Sequence, residues 1–174
     1  MNNLFEEHVD DIAEKRPFHG TFPQEIIAYD WSIHMDILDT HHERDLDTNS
    51  TKMRIGLNNY HRRPSAPEFA KTIEAHMQET FALHGNKITN IAFTGFGPHS
   101  DSYPRHKDSM DVFLVQVLGE IKIQIDGLHD EPVPFKPGDY YWIPRGTYHQ
   151  IFPITSRVSF SYGVEGDPDP SIYF

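Results

Sequence analysis

From residue 86 onward the sequence falls into short apolar stretches separated by Gly, Pro and Asp, and this pattern does most to limit the fold. The stretches cover residues 88–94, 111–118, 121–125, 140–143, 148–152 and 158–162. Each has the length of a strand, and Asp126-Gly127 and Pro137-Gly138-Asp139 supply turn chemistry between them. Several short strands at this spacing predict a sandwich or small barrel. The first 85 or so residues read differently. Leu4, Phe5, Val9 and Ile12 recur at helical spacing, with Pro17 as a stop. A second helix is expected from Asp30, with Trp31, Met35 and Leu38 on one face. Residues 39–50 are polar and read as a loop, and Met53, Ile55 and Leu57 alternate as in a half-buried strand. The clearest helix is expected over 65–83. Ser65 and Glu68 form a capping-box pattern, Phe69, Ile73, Met77 and Phe81 make one stripe, and Gly85-Asn86 is the stop. The expectation is one mainly β domain over 1–174, its helical N-terminal part (about 1–85) packed on a barrel (about 86–165).

At 174 residues the chain is long enough for one domain with a real core. Its formal net charge of −11 argues against a nucleic-acid surface, which needs clustered Lys and Arg. The sequence has no Cys, so it has neither disulfides nor a thiolate metal site. Any metal must be held by His, Asp or Glu. No apolar run has membrane-spanning length, and the N-terminus lacks a secretion-signal pattern. A soluble, cytoplasmic protein is expected.

The chemistry is concentrated in His106-x-Asp108 and in His149, 43 positions downstream. Two imidazoles and a carboxylate form a facial set that suits non-haem Fe(II) and leaves positions open for other ligands. On a strand, His106 and Asp108 would share a face because the period is two. His149 ends a Gly138-x5-Pro144-x-Gly146-x2-His149 segment, which reads as turn, strand, turn and then ligand. A second pair, His99-x-Asp101, lies seven residues earlier and is an alternative ligand source, although the strand starting at Asp111 fits His106 better. Without a metal, His106 and Asp108 would be exposed loop residues and His149 an ordinary strand histidine. Thr40-His41-His42-Glu43 reads as a solvated loop, because adjacent helical residues point apart. His34, His76 and His84 read as exposed helix residues.

The segment 97–119, with its Asp111-Val-Phe-Leu-Val-Gln116 core, together with the segment 133–149, resembles the JmjC-type, cupin-fold oxygenases, nearest the branch of small ribosomal oxygenases. The resemblance covers roughly residues 65–163. It implies a double-stranded β-helix (cupin, jelly-roll barrel) with flanking N-terminal helices. It also implies Fe(II) held by His106, Asp108 and His149, with 2-oxoglutarate as cosubstrate. The implied reaction is oxidative decarboxylation of 2-oxoglutarate to succinate, coupled to hydroxylation of a protein side chain or small molecule. The family places a Lys or Arg five residues after the Gln, to bind the distal carboxylate. Here that position is Ile121, and the aromatic expected two residues later is Ile123. Lys122 is one candidate for the missing cation, provided the turn at Leu118-Gly119-Glu120 restores its inward direction. Arg157, on a later strand, is the other.

Gln116 shares parity with the ligand pair and is a candidate for the metal or cosubstrate; its simpler role is a bond to a neighbouring backbone group. Tyr103 and Arg105 are candidates for the pocket mouth, and at least one of Tyr140, Tyr141 and Trp142 is expected to face the interior. The missing cation keeps a second reading open: a metal-dependent cupin isomerase, lyase or dioxygenase that uses no 2-oxo acid. A non-catalytic ligand-binding cupin is a third. Small cupins pair through barrel edges, so a homodimer is a candidate assembly.

Overall fold

Strict alternation along two long strands organises the molecule. The computed structural model describes residues 3–23, 25–40, 44–46, 54–82 and 85–166. Ten strands occur among them: β1 (Phe18–Thr21), β2 (Arg44–Leu46), β3 (Arg54–Asn58), β4 (Lys87–Gly95), β5 (Asp111–Leu118), β6 (Ile121–Ile125), β7 (Val133–Phe135), β8 (Asp139–Ile143), β9 (His149–Pro153) and β10 (Arg157–Glu165). They form a seven-stranded sheet in the order β1-β8-β5-β10-β4-β3-β2 and a three-stranded sheet in the order β7-β6-β9. Every pairing is antiparallel.

On β5, Phe113, Val115 and Val117 point to one face, while Val112 and Leu114 point to the other. The first face of the large sheet is covered by the helices α1 (Val9–Ala13), α2 (Trp31–Thr40) and α3 (Glu68–Phe81) and the turns around them. Phe5 sits edge-on to Phe81 and Phe113, and Phe81 stacks on Trp142 at 5.4 Å. Each such ring taken fully out of water contributes about 1.5–3 kcal/mol. The second face closes against the small sheet, with Ile121, Ile123, Ile125 and Phe135 fully buried. Tyr141 is the interior member of the aromatic triplet, whereas Trp142 packs on the helix side.

The N-terminal third is less helical than its sequence predicts. It contributes β1, β2 and β3 to the large sheet, and β1 pairs with β8 from Phe18↔Trp142 to Thr21↔Asp139. The long helix starts at Glu68 after Pro67, and no side chain caps it, so the Ser65–Glu68 box is not used. At its other end Gly85 takes φ +86, and Asn86 donates its amide to Phe81 O at 3.0 Å. The candidates His41, His42, Glu43 and His84 lie outside the described residues. No helix among the described residues is long and apolar enough to cross a membrane.

Helix α2 turns a different face inward from the one expected. Met35 is exposed, whereas His34 is fully buried beside Ile37 and Leu38. His34 lies between the Tyr29 hydroxyl at 2.7 Å and Thr94 Oγ1 at 2.8 Å, so both ring nitrogens are satisfied. His76 is also buried, with Nδ1 accepting from Leu4 N at 3.3 Å. Burial pulls the His34 pKa down to about 4. The unfolded chain, with an ordinary value near 6.5, therefore binds a proton there that the folded chain does not. Stability should fall as pH drops from about 6.5 to 4, by on the order of 3 kcal/mol from this group. Denaturant midpoints measured across that range should show the slope, and His34→Gln should flatten it. An unchanged slope in the variant would show that other groups carry the acid sensitivity.

Candidate metal centre and cavity

His106 and Asp108 precede β5 rather than lying on a strand. His106 is held by an isolated two-residue bridge to His149: His106 N donates to His149 O at 3.0 Å, and His149 N donates to His106 O at 2.8 Å. The turn before β9 is fastened to the same segment. Gly146, at φ +79, donates its N–H to Asp108 O at 2.9 Å, and Arg145 pairs with buried Asp111 at 3.0 Å. Backbone and ion pair thus bring two segments some forty residues apart in sequence into one fixed arrangement.

The three side chains converge. His106 Nε2 lies 3.7 Å from Asp108 Oδ1, and His149 Nε2 lies 3.5 Å from Asp108 Oδ2. One ligand atom from each residue falls within 4.8 Å of the others, and this is the sole such cluster of His, Asp and Glu among the described residues. The tautomers follow from the remaining nitrogens. His106 Nδ1 lies 2.8 Å from Pro104 O, and His149 Nδ1 lies 3.2 Å from Thr147 O. A carbonyl only accepts, so each Nδ1 carries the proton and each Nε2 turns a lone pair toward the cluster. Burial, with His106 beside it, lowers the His149 pKa and favours the neutral imidazole a metal requires. The donor set fits a divalent cation with open positions. His99 is exposed and outside the cluster, so the second His-x-Asp pair supplies no ligands in this geometry.

Beside the cluster is a cavity of about 440 Å³, within the range of small-molecule pockets. Its apolar wall includes Ile91, Phe93, Met110, Val112, Leu114 and Ile143. Its polar wall is one face of β10: Arg157, Ser159 and Ser161, with Gly163 beyond. Val158, Phe160, Tyr162 and Val164 alternate with these and point into the helix-side core.

Arg157 is 5% exposed. Its Nη2 donates to Ser100 O at 2.7 Å and Asp101 O at 3.1 Å, while Nη1 is buried with no hydrogen-bond partner. Burial, followed by the nearby Arg54, pulls its pKa down to about 10, so it remains a cation at neutral pH. Lys122 is corrected: it is exposed on β6 and does not line the cavity. The reason is topological. After Leu118 the chain leaves the large sheet for the small one, so parity does not carry across Gly119-Glu120. Strand β6 then sets its own alternation, with Ile121 and Ile123 inward and Lys122 outward.

Gln116 does not line the cavity either. Its amide donates to Leu118 O at 2.7 Å and Gly119 O at 3.1 Å, and its Oε1 accepts from Ser159 Oγ at 2.6 Å. It holds the sheet-to-sheet turn and orients a cavity hydroxyl. Tyr103 lines the mouth, while Arg105 lies over the Tyr148 ring and pairs with Asp126. Sequence reasoning missed Arg54 and Ser159. Their signal was alternation, since each occupies the polar parity of a strand whose other parity is core.

No protein-family model matches the sequence, and no curated protein matches it. Solved structures do. The Escherichia coli protein YcfD aligns with a TM-score of 0.66 at 12% identity, over 99% of this chain and 55% of its own. A prolyl-4-hydroxylase from Pseudomonas putida aligns at 0.65 and 12% identity, over 95% of this chain and 100% of its own. The chain shares the cupin-type double-stranded β-helix fold of these structures. A further structure of YcfD, described as a ribosomal oxygenase in complex with cobalt and 2-oxoglutarate, aligns at 0.64 and 12% identity. It covers 99% of this chain, which spans about half of YcfD (54%). Identities this low carry the cupin-type architecture and no residue roles.

Proposed function

We propose that the protein is an Fe(II)- and 2-oxoglutarate-dependent oxygenase that hydroxylates a small molecule or a protein side chain. The observation that carries this reading is the convergence of His106, Asp108 and His149 beside a cavity that also holds Arg157, a buried cation with an unused donor. A buried guanidinium N–H with no acceptor is costly, and a carboxylate is its natural complement. His106, Asp108 and His149 would hold the iron, which when bound supplies activation of O₂. Arg157 would receive the distal carboxylate of 2-oxoglutarate, with Ser159 beside it on the same strand face. The apolar wall would keep water from the reacting groups and hold the substrate carbon in place.

The cation expected from the family pattern at Ile121 is thus supplied from another strand, which removes the main support for a cupin enzyme without a 2-oxo acid. The YcfD complex with cobalt and 2-oxoglutarate supports the same pairing of metal and cosubstrate on this fold. The test is anaerobic loading with Fe(II), then addition of 2-oxoglutarate. A weak visible charge-transfer band is expected, and under air succinate should form. Absence of both the band and succinate would remove the proposal.

A further inference from the structure

Two side chains meet at one end of the cavity, over a residue that has none. In the sheet register Gly163 on β10 pairs with Thr89 on β4 and with Val112 on β5. Gly163 is buried and its φ is not positive, so its backbone would accept an L side chain; only lack of space calls for glycine here. A Cβ at this position would lie 2.3 Å from Met110 Sδ and 2.7 Å from Thr89 Oγ1. Met110 therefore reaches across β10 from the β5 side, and Thr89 meets it from β4, its hydroxyl donating to the sulfur at 3.9 Å. All three residues line the cavity.

Along β10, Gly163 stands roughly 20 Å from Arg157. Ser159 and Ser161 lie between them on the same face, with Ile91, Val112 and Leu114 among the apolar residues around them. The next position on that face past Gly163 is Glu165, partly exposed and paired with Lys87 at 3.1 Å. The Met110 side chain thus separates the apolar length of the cavity from its polar rim. Its backbone is held in place by the next residue, because Arg145 N donates to Asp111 Oδ1 at 2.8 Å and the Arg145 guanidinium pairs with the same carboxylate. The side chain is held far more loosely. It has one long contact to sulfur, a weak acceptor, and otherwise apolar packing. Three rotatable bonds make such a thioether an adjustable wall.

We infer that Met110 is a specificity-determining residue: its thioether, seated over Gly163, ends the cavity and sets the longest unbranched aliphatic chain that the cavity takes. Gly163 supplies the seat, and a methyl group there would push the thioether into the cavity. Assigning that chain to the substrate rests on the oxygenase reading; the length limit does not.

The test uses the metal-free full chain and the unbranched primary alcohols butanol, hexanol, octanol and decanol, with affinities from ligand-observed NMR. In the native protein affinity should rise about fourfold per added methylene, the value for transfer out of water, and then stop rising at one length. Met110→Ala should carry the rise to a longer alcohol, because the bar is gone. Gly163→Ala should stop it at a shorter one, because the thioether is displaced inward while no charged or polar group changes. If Gly163→Ala is poorly folded, Met110→Leu takes its place: leucine is too short to reach Thr89, so its stopping length should fall between those of the native protein and Met110→Ala.

The same stopping length in the native protein and in Met110→Ala, or in the native protein and a folded Gly163→Ala, overturns the inference. So does a native affinity that climbs without a break to decanol, or the absence of binding by every alcohol. The Fe(II) and 2-oxoglutarate titration is read separately. No charge-transfer band and no succinate, with the length limit as expected, would overturn the oxygenase reading and leave Met110 as the end wall of a ligand cavity.

Discussion

His106→Ala should leave the protein unable to retain a divalent metal. Three residues are placed to hold the metal, and this change leaves Asp108 and His149 alone. Removing only a group that orients a ligand typically costs about 10–100-fold in metal affinity, so removing the ligand should cost more than about 100-fold. The effect should be local. His106 is partly exposed, and its contribution to the bridge with His149 is made by backbone atoms that alanine keeps. Iron or cobalt content after dialysis is the readout, with unchanged thermal unfolding of the metal-free protein as control. His99→Ala should retain metal fully. A His106→Ala protein that holds metal as well as the original would shift the ligand assignment to His99 and Asp101.

Arg157→Gln should weaken 2-oxoglutarate binding on the order of ten- to hundred-fold, from the loss of a charge-assisted bond to a carboxylate. Affinity for 2-oxopentanoate, which chelates in the same way but has no distal carboxylate, should change little. The contrast separates a lost anion contact from general damage to the cavity. Lys122→Ala should leave both affinities as they were, because Lys122 points to solvent. The pH dependence has a fixed sign. Arg157 is a cation below about 10, so 2-oxoglutarate affinity should be level through neutral pH and decline as pH rises past that value. Equal weakening of both oxo acids would mean that Arg157 supports the loop at Ser100 and Asp101 and does not read the carboxylate.

The strands that the sequence shows best are those whose alternation is decided locally. The stretch 111–118 became β5 and 121–125 became β6 with the same bounds, and 88–94 became β4 with one extra residue at each end. Strand β1 was hidden because Phe18-His-Gly-Thr is short, contains glycine and follows a proline. Its state is fixed by pairing with β8, a partner more than a hundred residues away. In α2, Met35 looked like a core residue and His34 a surface one, and the reverse holds because Tyr29 and Thr94 satisfy both nitrogens of the imidazole.

In the candidate site, the ligand residues stood out because metal binding restricts residue type and spacing so strongly. The cations were legible only in part: Arg157 stood as one of two candidates, and nothing in the sequence chose between it and Lys122. Lys122 was judged by counting along the chain through a turn that changes sheets, which no parity rule survives. Arg54 and Ser159 sit on strands that read as half-buried, and in such strands the polar half is ordinarily given to water. Here it lines an internal cavity.

Strand β10 therefore answers to two masters. Every second residue belongs to the packing that keeps the sheet against its helices, and the intervening ones belong to whatever molecule enters from the opposite side. Five positions face the cavity and four face the core, so side chains such as Ser159 and Ser161 can change to suit a new visitor while the architecture is preserved on the same nine-residue ribbon.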